Sequence, residues 1–495
     1  MGFYEFQCGF LATICAVLKL VEHYLSRKTN SDGYASPGGA RDGAASALSR
    51  KYLIVYGLAM GADWLQGPYG YSLYADQYGF DEQIISYFFI TGFLSGAMFA
   101  PLLGSWADQN GRKRVCLVYC VLYAGSCLLL QVPWVPAILL ARIFGGISTS
   151  ILFSVFESWL VSAHADAALP PDDLGSILGR ATMINGLVAT VAGIFSNHLI
   201  EFTGHSYRSP FIASALVLVL AFFAISGLWT ENYGAKGNQS RDDSWQWHRM
   251  VQAARIVADD PVLLILGLTQ TLFEGSMYLF VFVWVPTLQD ASPSPSLPLG
   301  YIFSTFMICM MLGSLLYTFI TGHIFSSASK QTNLTLHVTL SALLCAVAAL
   351  AFAICVNAGN GKGEVLEQGK FWAFCLFEAC VGMYYPVQGV LRGNLISNEH
   401  RATLSALFRV PQNIFVVLAL ATGFSSAKDA VLFACALLLS FSALVSAIVM
   451  LPRVESSPTV PMHLPTPVHA PTTPASALAY PDSRIDAPYA GEEEH

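Results

Sequence analysis

Gly104-Ser105-Trp106-Ala107-Asp108-Gln109-Asn110-Gly111-Arg112-Lys113-Arg114 stands between two long apolar runs, and it packs an acid, a glycine and three consecutive cations into one short turn. Three adjacent cations do not enter hydrocarbon, so the turn is expected on the cytoplasmic face of a membrane with a crossing helix on either side. Asp108 ends the first of those helices, where it can cap a neighbouring helix N-terminus or pair with a loop arginine. Gly104 and Gly111 are expected to permit close helix approach and a tight reversal. An ordinary basic loop has no need of Gly, Asp, Gly and Arg at these offsets.

The rest of the chain has the composition of a membrane protein. Of its 495 residues 54% are hydrophobic and 12% charged, and the mean hydropathy is +0.54. Apolar runs of about 20 residues recur along it, the length that crosses about 30 Å of hydrocarbon. The net charge of -7 carries little information, and no basic stripe points to nucleic acid. The 11 cysteines lie almost wholly inside apolar runs without paired loop spacing, which argues against a disulfide framework or a metal site. No nucleophile–base set, phosphate-binding glycine loop or metal-ligand cluster stands out, so neither catalysis nor a cofactor is expected. Residues 3–21 lack a positive n-region and a cleavage site, and they run straight into Lys19, Glu22 and Arg27; they read as a retained span.

Counting runs gives an all-α multi-pass protein with one leading helix (2–22) and twelve core spans. The first six are 51–72, 84–107, 115–132, 136–160, 177–199 and 210–229; the second six are 261–287, 299–322, 334–356, 370–393, 402–424 and 429–451. Five regions follow: 1–50 with the leading helix and a cytoplasmic loop, a six-helix bundle over 51–230, and a cytoplasmic linker over 231–260. A second bundle covers 261–451, and a Pro-rich tail over 452–495 is expected to be disordered and could serve a binding partner. Loops 23–50, 108–114, 161–180, 230–260 and the one holding Arg401 carry most of the basic residues, whereas the opposite loops are acidic or neutral. That alternation puts the sequons at Asn238 and Asn333 in the cytoplasm, where they are expected to stay unglycosylated.

The two halves repeat. Arg142 precedes Gly146 by four residues in the fourth core span, and Glu378 precedes Gly382 by four in the tenth. Glu157 and Arg392 fall at matching inner levels of the same two spans. Arg180 to Asn185 in the fifth span parallels Arg409 to Asn413 in the eleventh, and Asp63 in the first parallels Glu274 in the seventh. Solute sites of carriers lie at such repeat interfaces.

An ionisable residue at membrane depth costs about 2.5–3.5 kcal/mol on insertion scales, so each needs a partner, water or a function. Asp63, Arg142, Glu157, Glu274, Glu378, Arg392 and Arg409 all lie inside spans, and fixed salt bridges that hold helices together would be the plainest account of them. The functional account divides them. Glu157 and Arg392 pair as a cytoplasmic gate, and Asp108 and Arg112 are further gating residues. Asp63 and Glu274, with Glu378 in the same charge network, couple protons, since a carboxylate in a partly dehydrated cavity can load and release one near neutral pH. Arg142 and Arg409 contact an anion, because the guanidinium fork suits a tetrahedral oxyanion. Asn185, Asn413, Gln66, Tyr69 and Tyr385 add neutral donors, and Pro386 after Tyr384-Tyr385 can hinge its helix.

The 104–114 stretch resembles the signature loop between core helices 2 and 3 of the major facilitator superfamily. Ala62-Asp63-Trp64-Leu65-Gln66, Phe156-Glu157-Ser158-Trp159, Glu231-Asn232-Tyr233, Leu272-Phe273-Glu274, Gly382-Met383-Tyr384-Tyr385-Pro386 and Phe408-Arg409-Val410-Pro411 are similar to the molybdate-anion transporter family, over about residues 50–425. The resemblance implies a major facilitator fold, two pseudo-symmetric six-helix bundles plus an extra N-terminal helix, and molybdate uptake by alternating access, with proton coupling open. The second half departs from the signature: Gly322-His323-Ile324-Phe325-Ser326-Ser327 has no acid and no basic triplet, so that gating role should be one-sided. The residues themselves support only a polar or anionic solute crossing a lipid bilayer. A neutral solute such as a sugar, and a transceptor or scaffold without flux, stay open, and the cell membrane is the default location.

Overall fold

The protein is described here by a computed structural model covering residues 2–30, 39–233, 254–255, 257–294, 296–323, 330–357, 361–396, 401–421 and 428–456. Most of the 231–260 linker with Asn238, and 457–495 of the expected tail, lie outside the described residues.

Among the described residues all regular structure is helical: α1 (Phe3–Asn30), α2 (Gly39–Gln66), α3 (Glu82–Asn110), α4 (Arg112–Leu129), α5 (Val135–Leu152), α6 (Val155–Asp166), α7 (Pro171–Phe202) and α8 (Ser209–Leu228), then α9 (Pro261–Ala291), α10 (Leu299–His323), α11 (Lys330–Asn357), α12 (Glu364–Leu395), α13 (Arg401–Ala421) and α14 (Lys428–Val445). Length and composition alone mark 10 segments as able to cross a membrane; α2, α4 and α13 fall outside that set, and each carries ionisable residues. The protein is an integral multi-pass membrane protein, and successive core spans, with α5 and α6 counted as one, run in alternate directions. One end carries the Arg112–Arg114 triplet and is called the basic end; the other carries Asp76, Glu82 and Asp290 and is called the acidic end.

Helices α2–α8 form one bundle and α9–α14 the other, joined chiefly where α7 packs on α10 and α3 on α13. The sequence repeat is also a packing repeat. A Cβ on Gly146 would lie 2.3 Å from the Gly92 carbonyl oxygen of α3, and one on Gly382 would lie 1.9 Å from the Met310 carbonyl oxygen of α10. Each glycine therefore lets equivalent helices of its bundle touch backbone to backbone.

The leading helix joins the second bundle, although the first follows it in the chain. It packs on α10, Phe3 and Tyr4 meet the Phe371 ring edge-on at 5.9 and 5.0 Å, and the Tyr4 hydroxyl donates to the Glu367 carboxylate of α12.

Four expectations about helix limits change. The 23–50 loop is shorter, because α1 runs to Asn30 and α2 starts at Gly39; the Ala44-Ala45-Ser46-Ala47-Leu48 run favours helix beyond the apolar span. The first core span is not straight. Pro68 lacks a backbone donor, so α2 gives way to a 3-10 turn at Gly67–Tyr69, a short helix to Ser72 and a π turn over Leu73–Gln77. The fourth span breaks between α5 and α6, where the hydroxyls of Ser154 and Ser158 bond the carbonyls four residues back at 2.5 and 2.8 Å. The last span continues past 451 to Ser456, so the tail begins later than expected.

Candidate transport pathway

The bundles are latched at the acidic end. Lys428 Nζ lies 2.7 Å from Asp290 and 3.4 Å from Glu82, which belongs to the other bundle, and Gln289 donates to Asp76 at 2.9 Å. Across the α7–α10 seam, Tyr301 and His198 meet at 2.9 Å, and the Gly300 backbone N–H donates to Tyr69 Oη at 3.0 Å. Beneath these lies an aromatic layer: Phe89 and Phe282 are edge-on at 5.1 Å, Tyr71 and Phe282 at 6.0 Å, and Phe93 and Tyr278 at 5.2 Å. The described contacts continue to mid-depth at Gly186 and Met311. Toward the basic end, Glu157 and Arg409 are exposed.

None of the seven intramembrane charges forms a salt bridge among the described residues, so fixed ion pairs among those residues do not account for them. In the first bundle Asp63 accepts from the Tyr123 hydroxyl, and next to it Trp64 Nε1 donates to Asn185 Oδ1 at 2.7 Å. Gln66 and Tyr69, expected as donors to solute, bind protein instead. The Gln66 amide turns inward to Ser214 Oγ at 3.3 Å and Cys127 Sγ at 3.7 Å. Tyr69 is buried, donates to Asn197 Oδ1 at 3.1 Å and accepts from Gly300, so it belongs to the latch.

In the second bundle Glu274 accepts from Tyr384 at 3.3 Å, whose ring stacks on Phe273 at 4.0 Å. Arg392 and Arg409 both lie within electrostatic reach of Glu274. Arg392 Nε also donates to the Gln388 carbonyl oxygen at 3.3 Å. Glu157 and Arg392, expected as a gate pair, are not joined in this conformation; Glu157 lies within electrostatic reach of Tyr52 and Tyr56. Tyr385 is 44% exposed, with its hydroxyl toward Met277 Sδ at 3.4 Å, and Asn413 is half-buried. Glu378 is buried without a hydrogen bond among the described residues. Helix α12 runs unbroken through Pro386.

The signature loop brings Asp108 and Arg112 together at 2.8 Å. The α4 N-terminus is capped from elsewhere in the chain: Glu231 accepts the backbone N–H of Lys113 at 2.8 Å and of Arg114 at 3.2 Å, a favourable place for a carboxylate. Gly111 is required twice, by its φ of +101° and because a Cβ there would lie 2.5 Å from Glu231 Cδ. Gly104 has open space about it, so the close approach expected there is absent. Tyr123, Tyr278, Lys428 and His198 were not legible as functional residues, because each gains its role from a partner on another helix.

A family model described as sugar transporters with 12 transmembrane segments matches residues 3–375. Curated relatives named molybdate-anion transporters include that of Xenopus tropicalis, 32% identical over 418 residues, covering 83% of this chain and 85% of its own length. The chain belongs to the molybdate-anion transporter family of the major facilitator superfamily. The relative of that name in Danio rerio is 29% identical over 431 residues, with the same coverage of 83% and 85%. A variant of the nucleoside transporter NupG superposes with a TM-score of 0.61 at 12% identity, covering 81% of this chain and 98% of that one. The inward open conformation of the xylose transporter XylE from E. coli gives 0.60 at 11%, covering 82% and 96%. At such identities the likeness establishes the fold alone. This member of the family is a transporter and not an enzyme.

Proposed function

We propose that the chain carries molybdate, or a tetrahedral oxyanion like it, by alternating access, and that the conformation described is the inward-facing one. The observation that supports this most is the exposed Arg409 guanidinium, which together with Arg392 lies within electrostatic reach of Glu274. Such a patch favours an anion, and the guanidinium fork with neutral donors at Tyr385, Asn413 and Asn185 suits oxygen ligands arranged in a tetrahedron. The names of the curated relatives point the same way. With the basic end in the cytoplasm, the latched acidic end faces outside. Glu157 and Arg392 then form the inner gate, apart here and joined when the carrier faces outward, and Glu274 and Asp63 exchange protons in the cycle.

Uptake of labelled molybdate into cells lacking their own carriers tests this, with tungstate, sulfate and sugars as competitors. Saturable uptake blocked by tungstate but not by sugars is the expected result. A sugar carrier is the second reading, favoured by the description of the matching family model, and sugar competition would reveal it.

A further inference from the structure

Arg142 differs from the other intramembrane cations. Its guanidinium carbon lies 5.0 Å from the Tyr74 ring centroid and 4.9 Å from that of Phe89, between two aromatic faces. Among the described residues it has no acidic partner, its Nε is buried without a hydrogen bond, and the Tyr74 hydroxyl is likewise buried without a partner of good geometry. Ring faces attract a guanidinium less strongly than a carboxylate does, so the unpaired Nε of Arg142 stays available to an anion.

Depth separates this cation from the ones near Glu274. Arg142 is seven residues into α5 from the acidic end, about 10 Å along the axis, whereas Arg409 is eight residues into α13 from the basic end, about 12 Å. The two stand in opposite bundles and toward opposite faces. Phe89, which covers Arg142, is held edge-on by Phe282 of the other bundle at 5.1 Å. Separating the acidic ends parts Phe89 from Phe282 and frees the ring to leave the guanidinium.

We propose that Arg142 is an outer oxyanion station, shuttered by Phe89 against Phe282 while the carrier faces inward and uncovered when it faces outward. Arg409 with Arg392 is the inner station. This deepens the oxyanion reading above and rests on it. The anion is first held by Arg142 on entry and passes to the second bundle as the acidic end closes.

The test is the KM for molybdate measured separately from each face, in proteoliposomes of known orientation. Arg142→Gln is expected to raise the outer-face KM about tenfold or more, the scale of one lost charge-assisted contact, while the inner-face KM changes less than about twofold. Arg409→Gln is expected to do the reverse. If Arg142→Gln does not fold, Arg142→Lys, which keeps the charge and loses the fork, is expected to raise the outer-face KM alone by a few fold. Equal changes at both faces, or none at either, overturn the station. Wild-type protein that carries sugars and no molybdate overturns the oxyanion reading and the station with it; wild-type molybdate transport with face-independent variants overturns the station alone.

Discussion

Lys428 Nζ stands 3.4 Å from Glu82 across the junction of the two bundles, while Asp290 of its own bundle holds it at 2.7 Å. Opening the acidic end therefore breaks one ion pair and keeps the other. Partly exposed pairs of this kind are worth roughly 0.5–1 kcal/mol, so Glu82→Gln should move the population about two- to fivefold toward the outward-open form. The measurement is labelling of a cysteine introduced at Phe282 by a membrane-impermeant thiol reagent added outside. Faster labelling in the Glu82→Gln background is expected; an unchanged rate would show that the pair does not restrain the gate.

Gly111 and Glu231 are coupled by contact. Gly111→Ala places a Cβ against the Glu231 carboxyl and strains a φ of +101°, for a cost of about 2 kcal/mol or more. Glu231→Ala uncaps α4 for about 1 kcal/mol. In the double variant the steric part vanishes and only the backbone strain remains, so the costs should be less than additive. Thermal unfolding in detergent checks this, and strict additivity would contradict the geometry.

Much of this was legible in the sequence. Hydropathy and loop charge yield most of the spans, because desolvating a charge in hydrocarbon is costly enough to dominate local preference, and matched charge and glycine offsets yield the two-bundle repeat. The Asp108–Arg112 pair was legible because both residues sit in one turn. The breaks at Pro68 and Ser154 are smaller effects, masked by the surrounding apolar runs. Partners on distant helices were not legible: Tyr123 for Asp63, Ser214 for Gln66 and Gly300 for Tyr69 depend on helix rotation, which composition does not set. The same holds for the docking of α1 on α10.

Glu157 and Arg392 stand apart in the conformation described and should meet when the basic end closes. Reversing either charge alone should reduce transport to near background, and Glu157→Arg with Arg392→Glu should restore part of it. Initial rates of molybdate uptake by the three variants at matched expression decide the matter. No recovery in the double variant counts against the gate.

Glu274 touches the Tyr384 hydroxyl and lies in reach of both inner arginines. If it exchanges a proton in each cycle, Glu274→Gln should flatten the pH dependence of uptake while leaving molybdate exchange, which needs no net proton movement, largely intact. An unaltered pH profile would remove Glu274 from the coupling path.

The central claim is that an oxyanion crosses this protein by alternating access, and counterflow in proteoliposomes tests it most directly. Vesicles holding purified protein and loaded with unlabelled molybdate should take up external labelled molybdate transiently above equilibrium, and Arg409→Gln should abolish the overshoot. An overshoot with a sugar but none with molybdate would contradict the account.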